Sequence, residues 1–349
     1  MTKRYPAPAL RAFASELLQR AGLAAERAAA VADILVEGDL MGHSTHGLQL
    51  LGPYLKALAD GTMTRAGEPE TIADRGAAVT WEGNFLPGPW LVLRAMDLAF
   101  RRIPERATVT VVIRRSHHIG CLAAYLKRAT DRGLLMLLTC SDPSVASVAP
   151  FGAIAGRYTP NPLAAGFPTD GLPVLIDISA STTTNGLVAR LNRAGEGERL
   201  GGAWLVDRDG NATDDPAVMA ADPPGAILPL GGMDLGYKGF ALGLLVEALT
   251  AALSGHGRAD GESRWGAAVY LQLIDPAAFG GRAGFAREAG WLANACRTAP
   301  VKPGNPPVRL PGERALKLRE QQLAEGVALH PEIMHSLKPW AEKLGVAVP

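Results

Sequence analysis

The hydrophobic pattern of this 349-residue chain changes period twice, so no uniform architecture can satisfy it. Near the start, Leu10, Phe13, Leu17 and Leu18 recur at helical spacing and Gly22 follows; Ala28, Val31, Leu35 and Val36 then repeat the pattern. A third helix fits Leu48 to Leu58, with Ser44 or Thr45 able to cap it and Gly61 just beyond its end. From Thr71 the texture is different. Residues 107–113, Ala-Thr-Val-Thr-Val-Val-Ile, are β-branched and strand-like. A helix over about Leu122 to Ala129, buried strands at Leu134 to Thr139 and Pro173 to Ile178, and a helix from about Lys238 to Leu253 continue an alternation of strand and helix. After Gly284 helices return, apart from a Pro-rich connector, Pro303-Gly304-Asn305-Pro306-Pro307, expected to run along the surface. The pattern predicts an α/β centre between helical ends, with boundaries at 1–72, 73–284 and 285–349. A chain of this length is most comfortable as two domains, and two domains leave a cleft.

Charge and cysteine usage narrow what that cleft can serve. With 35 basic and 34 acidic residues the net charge is +1, so no overall field favours nucleic acid or an anionic membrane surface. The longest apolar stretches, Leu134 to Leu138 and Phe240 to Val246, fall short of the roughly 20 residues of a membrane span. The opening segment carries Arg11, Glu16 and Arg20 and lacks the apolar core of a signal peptide, which suggests a cytoplasmic protein. Cys121, Cys140 and Cys296 are odd in number and widely spaced, suiting neither a disulfide framework nor a zinc knuckle.

Four segments could carry chemistry. In Asp39-Leu40-Met41-Gly42-His43-Ser44-Thr45-His46-Gly47 a carboxylate and two imidazoles lie at i, i+4 and i+7, which on an unbroken helix would share a face and could hold a metal. Gly42 and Gly47 bracket the histidines and argue instead for a helix end and a catalytic or binding loop. Ser116-His117-His118-Ile119-Gly120 places histidines at a strand end, and His118 is the acid/base candidate, because a histidine can move a proton near neutral pH. Tyr158 to Leu163 and Asp177 to Thr184 set hydroxyls and a carboxylate at loops and strand ends, where a phosphate or ribose could be held. Gly231 to Gly239 surrounds Lys238 with glycines before a helix, a setting that favours an anion. The chain contains no Gly-x-Gly-x-x-Gly and no Gly-x4-Gly-Lys-Ser/Thr, so neither common dinucleotide or nucleotide fingerprint is available. Residue chemistry alone reaches an anion-binding α/β enzyme.

In order, Gly42-His43-Ser44-Thr45-His46-Gly47, Ser116-His117-His118-Ile119-Gly120, Asn161-Pro162-Leu163, Asp177-Ile178-Ser179, Gly236-Tyr237-Lys238-Gly239 and Pro311-Gly312-Glu313 span nearly the whole chain. Together they resemble the malate/L-lactate dehydrogenase family that is distinct from the Rossmann-fold lactate dehydrogenases. That family also includes ureidoglycolate, sulfolactate and diketogulonate enzymes and cyclic imino acid reductases. The resemblance implies a homodimer with a non-Rossmann NAD(P)-binding α/β domain and a helical part built from both chain ends. It implies hydride transfer between NAD or NADP and a small 2-oxo, 2-hydroxy or cyclic imino acid, without a metal, with His118 as proton donor or acceptor and His46 beside the substrate. Thr45, Leu50 and Tyr54 are then the substrate-side candidates. The cofactor-side candidates are Ser116, Asn161, Asp177, Ile178, Ser179, Ser181, Lys238, Gly239, Pro311, Gly312 and Glu313.

Three positions depart from the family pattern. Relatives usually carry an arginine four residues after the histidine matching His46, where it clamps the substrate carboxylate; this chain has Leu50. A frequent Gly-Lys is Gly186-Leu187, and the segment often reading Leu-Gly-Thr-Asn-Pro is here Arg157-Tyr158-Thr159-Pro160-Asn161-Pro162. Two other functions compete: a metal-dependent hydrolase using Asp39, His43 and His46, and a non-catalytic binding protein on the same fold. Retention of His46, His118 and Lys238 together speaks against the latter.

Overall fold

The β-branched run near Val109 lies inside a seven-stranded sheet. Its strands in chain order are β1 (Glu70–Asp74), β2 (Ala78–Glu82), β3 (Thr108–Ser116), β4 (Leu135–Ser141), β5 (Pro162–Phe167), β6 (Val174–Ser179) and β7 (Ala267–Ile274), in a computed structural model that describes residues 3–195 and 197–349. Across the sheet the order is β1-β2-β3-β7-β4-β5-β6. Only β2 and β3 pair in parallel, because a helix makes the crossover between them; the remaining pairs are antiparallel. The alternation of strands and helices legible in the sequence is therefore not a repeated βαβ winding. The central strand β7 arrives from late in the chain and pairs on both sides, and its first five residues are all buried.

The helices are α1 (Ala7–Arg20), α2 (Ala25–Leu40), α3 (Leu51–Ala59), α4 (Gly88–Arg106), α5 (Ala123–Thr130), α6 (Asn185–Ala194), α7 (Gly232–Glu247), α8 (Arg282–Arg297), α9 (Glu313–Glu325) and α10 (Pro331–Leu344). Two apolar cores share α2 as a wall. Ile34 joins the sheet, α4 and α5, whereas Val31, Leu35 and Val36 join α1, α3 and α10. The second core thus unites both ends of the chain, and Tyr5 and Val327 close it through a short strand pair. Its Leu10, Leu17 and Leu18 are fully buried, each removing from water a side chain worth about 1.5–3 kcal/mol. A smaller core of Val148, Tyr158, Val188, Leu205 and Ile227 seats α6 beside a three-stranded sheet.

Two elements differ from the sequence reading in ways that matter for the site. Neither Ser44 nor Thr45 caps the third helix. The chain enters it through a 3-10 turn at Leu48–Leu50, and the Leu48 N–H donates to the Asp39 carboxylate at 2.7 Å. The helix expected from Lys238 begins at Gly232 and continues through a π turn to Ala252, giving a 21-residue helix long and apolar enough to cross a membrane, of whose most apolar 18-residue window 28% is buried in the chain. Lys238 on one side and Glu247 on the other bound the apolar run in sequence, which is why the stretch at Phe240 to Val246 looks too short. Its end is fastened by polar contacts: Glu247 accepts from Asn161, Ser141 and Arg258.

Candidate active site

Two loops meet at the mouth between the helical layer and the sheet. One follows α2 and carries His43 to Gly47; the other leaves β3 and carries His117 to Gly120. Small residues make the approach possible. A Cβ on Gly88 would lie 2.2 Å from the His117 carbonyl oxygen, and one on Gly47 would lie 2.4 Å from the Asp39 carboxyl carbon. The rings of His46 and His118 stand 6.0 Å apart, centroid to centroid, at 24°.

The environment of His118 defines its hydrogen. The Gly120 N–H donates to Nδ1 at 3.1 Å, so the neutral ring carries its hydrogen on Nε2. The Tyr54 hydroxyl donates to the His118 carbonyl at 3.0 Å and sits 2.9 Å from Nδ1, free to accept a hydrogen there once the ring is charged. Among the described residues no protein group pairs with Nε2, on a side chain that forms part of a cavity wall. Burial holds the imidazolium of His118 well below its ordinary pKa, and the neighbouring His46 and His117 push the same way. His46 is lowered too, by burial against the opposing pull of Asp177, and its Nδ1 meets the Thr45 hydroxyl at 2.9 Å. His117 is fully buried between Tyr54 and Trp265 with neither nitrogen paired, and burial drives its pKa to about 3. It stays neutral and packs.

The cavity has a volume of about 590 Å³, within the range of sites that take small ligands. Its lining includes His46, His118, Thr45, Leu50 and Trp265 together with Thr159, Pro160, Asp177, Ile178, Ser179 and the start of α6. Flat apolar surface at Pro160, Pro162 and Ile178 lies beside the Thr184 hydroxyl and the Asn185 amide, groups suited to a nicotinamide ring and its ribose, while the Ser179 hydroxyl donates to the Ser181 carbonyl at 2.9 Å. Thr183 adds a buried hydroxyl oxygen with no protein partner. These residues fit the dinucleotide that the sequence suggests.

Several expected contacts lie elsewhere. Tyr54 is fully buried and stands behind His118 rather than in the substrate wall. Asn161 turns away, donating to the Gly243 carbonyl and to Glu247, both at 3.0 Å. The Ser116 hydroxyl donates to the His117 carbonyl and that of Ser181 to the Thr183 carbonyl, so both shape loops. Lys238 is exposed on α7, and Gly239 lets that helix pass the Leu230 backbone, which a Cβ would meet at 2.2 Å. The Pro311 carbonyl accepts the Leu175 N–H at 3.1 Å, Gly312 lies against Leu175, and Glu313 pairs with Arg297, so this segment latches onto β6. Trp265 and Asn185 are wall residues that motif reasoning did not single out, while Thr159 falls in the Tyr158 to Leu163 segment that it did. Trp265 arrives just before β7, and its place is set by sheet topology alone.

The triad Asp39, His43 and His46 does not assemble into a metal site. Asp39 is buried against the Leu48 N–H, and desolvation raises its pKa to about 8. Among the described residues a different trio, His43, Cys121 and Asp177, brings ligand atoms within 4.8 Å. There Asp177 accepts the Ala123 N–H at 2.9 Å, and burial raises the Cys121 thiol well above its ordinary value.

Comparison with known proteins agrees with this geometry. The family model described as malate/L-lactate dehydrogenase matches residues 5–338. An L-lactate dehydrogenase from Cupriavidus necator is 32% identical over 346 residues, covering 97% of each chain. A Delta(1)-pyrroline-2-carboxylate reductase from Ancylobacter novellus is 29% identical over 324 residues, 90% of each. Among solved structures, delta1-piperideine-2-carboxylate reductase from Pseudomonas syringae pvar. tomato superposes with a TM-score of 0.83 at 26% identity, covering 97% of this chain and 100% of that one.

Proposed function

The chain belongs to the malate/L-lactate dehydrogenase family, a nicotinamide-dependent group acting on hydroxy, oxo and cyclic imino acids, and from that premise we propose how its own residues carry the reaction. The observation that carries the proposal is the unpaired Nε2 of His118 in the cavity wall, across from His46, with Nδ1 flanked by Gly120 and Tyr54. The bound nicotinamide supplies or accepts the hydride. His118 holds the substrate oxygen or nitrogen through Nε2. In reduction the imidazolium releases the Nε2 proton to that atom, which leaves the neutral ring with its hydrogen on Nδ1, donated to the Tyr54 oxygen; uptake of a proton at Nε2 from water and loss of the one on Nδ1 restore the tautomer that the Gly120 N–H favours. In the charged form Nδ1–H donates to Tyr54, whose own hydrogen remains on the His118 carbonyl. The two contacts at Nδ1 therefore favour opposite protonation states, which suits a group that must change state each turnover. His46, neutral by burial, presses the substrate from the other side.

The substrate we favour is a monocarboxylic 2-oxo acid or imino acid with a neutral side chain or ring. Leu50 and Trp265 make the pocket apolar where an arginine would make it cationic, and a second carboxylate buried there without a partner costs several kcal/mol. The broad exposed face of α7, with Met233, Leu235, Leu244 and Leu245 about half exposed, supports a homodimer. Three unpaired cysteines suit a cytoplasmic setting.

Thermal stabilisation by NADH and NADPH, measured separately, selects the cofactor, since a ligand at a hundredfold its Kd adds about 2.7 kcal/mol. Turnover of oxaloacetate, pyruvate, a longer aliphatic 2-oxo acid and a cyclic imino acid then ranks substrates for the wild type and Leu50→Arg. Oxaloacetate is expected to be poor for the wild type and to gain in the variant. Wild-type preference for oxaloacetate, or an unchanged ranking in Leu50→Arg, contradicts the reading.

A further inference from the structure

A 2-oxo acid brings a carboxylate into the site, yet among the described residues the cavity wall contains no arginine or lysine. Leu50 and Leu187 are neutral at the two places where the family pattern puts a cation. A candidate comes from α6. On α6, Ala189 belongs to the wall, and the next residue, Arg190, donates through Nη1 to the Ser44 hydroxyl at 3.3 Å. Ser44 lies between His43 and Thr45, both of which line the cavity, and a Cβ on Gly186 would be 3.6 Å from Thr45 Cβ. Helix α6 is thus packed on the histidine loop, with the guanidinium of Arg190 at the seam.

Arg190 is half-buried, and among the described residues it makes no ion pair, while other arginines near the cavity are committed. Arg258 pairs with Glu247 at 2.9 Å, and Arg264 donates to the Thr62 carbonyl at 2.7 Å and covers the Phe85 ring at 3.8 Å. A guanidinium has five N–H donors in a planar fork that matches a carboxylate, and Arg190 spends only one bond of that set on Ser44.

We propose that Arg190 is the carboxylate-binding residue of this enzyme, taking from α6 the part that an arginine at position 50 plays in relatives. The inference rests on the functional reading above and deepens it. With the carboxylate held toward the Ser44 seam, the substrate side chain turns to Leu50 and Trp265, and the reacting atom stays near His118. Ser44 orients the fork and is a positioning residue.

The test compares wild type, Arg190→Met, Arg190→Lys and the pair Arg190→Met with Leu50→Arg, using pyruvate as substrate and oxamate as a non-reacting carboxylate probe. A charge-assisted contact of about 1.5–3 kcal/mol corresponds to a 10- to 150-fold change, so Arg190→Met should raise the pyruvate KM and the oxamate Kd by that factor. Dinucleotide Kd and Tm should stay near wild type, lysine should recover part of the loss, and arginine at position 50 should recover more. An unchanged pyruvate KM and oxamate Kd overturns the proposal, as does a loss confined to dinucleotide affinity, which would make Arg190 a cofactor contact. If the wild type turns over none of the oxo or imino acids with either dinucleotide, the functional reading fails instead. Oxamate binding to wild type and Arg190→Met, followed by tryptophan fluorescence, still decides the arginine by itself.

Discussion

At the scale of single residues, the chemistry turns on which hydrogen Nδ1 of His118 meets. The Gly120 N–H holds the ring neutral, and Tyr54 provides the acceptor that a charged ring needs. Tyr54→Phe removes that acceptor while keeping the packing against His117 and Trp265. The imidazolium loses a charge-assisted contact, so the already depressed pKa of His118 should fall further. Reduction requires the imidazolium, and its rate rises as pH falls through that pKa. In Tyr54→Phe the rising limb should therefore move to lower pH, and at neutral pH reduction should slow by roughly 10- to 150-fold. A superimposable pH–rate profile contradicts this role. The sequence already marked His46 and His118 through flanking glycines and a strand end, signals that survive without coordinates. It could not show that Tyr54 faces the back of His118, because orientation on α3 is decided by packing with α10 and β3. Nor could it show that Asn161 serves α7, since that bond joins residues 82 apart.

At the scale of elements, the histidine loop is held by a latch between α2 and the 3-10 turn before α3. The Asp39 carboxylate accepts the Leu48 N–H, and the Gln322 side-chain amide of α9 donates to the Asp39 and Leu40 carbonyls. Gly47 lies directly on the Asp39 carboxylate, which is buried and bonded to the Leu48 N–H and so has no free room to swing away from an added carbon. Gly47→Ala should destabilise by about 1–3 kcal/mol through overpacking and displace His46, lowering kcat more than dinucleotide affinity. Denaturant titration and steady-state kinetics check both halves; a variant with wild-type stability and kcat would show the loop to be tolerant. Helical spacing made α1 readable through its one apolar face and α2 through Ala28, Val31, Leu35 and Val36, although Ile34 on the other side of α2 serves a second core. The order of the sheet was not readable, because β7 pairs with β3 and β4 across long intervals that local pattern does not encode.

At the scale of the whole molecule, the buried site leaves a pH signature. His46, His117 and His118 have folded pKa values below the unfolded 6.5, so below that pH the unfolded chain binds more protons and stability falls as pH drops. Asp39 has the opposite sign. Its pKa rises from 3.8 to about 8, so the folded chain binds the extra proton and stability falls as pH rises through that window. Stability should peak near pH 6.5 and decline toward pH 8 by at most about 1.4 kcal/mol per pH unit from this one group. Asp39→Asn should flatten the decline between pH 6.5 and 8, and a decline of wild-type slope in that variant would place its source elsewhere. The account as a whole stands on His118 as the proton donor and acceptor of a nicotinamide-dependent reaction. Its most direct test is His118→Asn, with turnover and dinucleotide Kd measured on the same preparation. The expected result is a loss of about 10²–10⁴-fold in kcat with dinucleotide affinity nearly unchanged, and retention of more than half of the wild-type kcat, roughly a change of under 0.5 kcal/mol, would remove His118 from the mechanism.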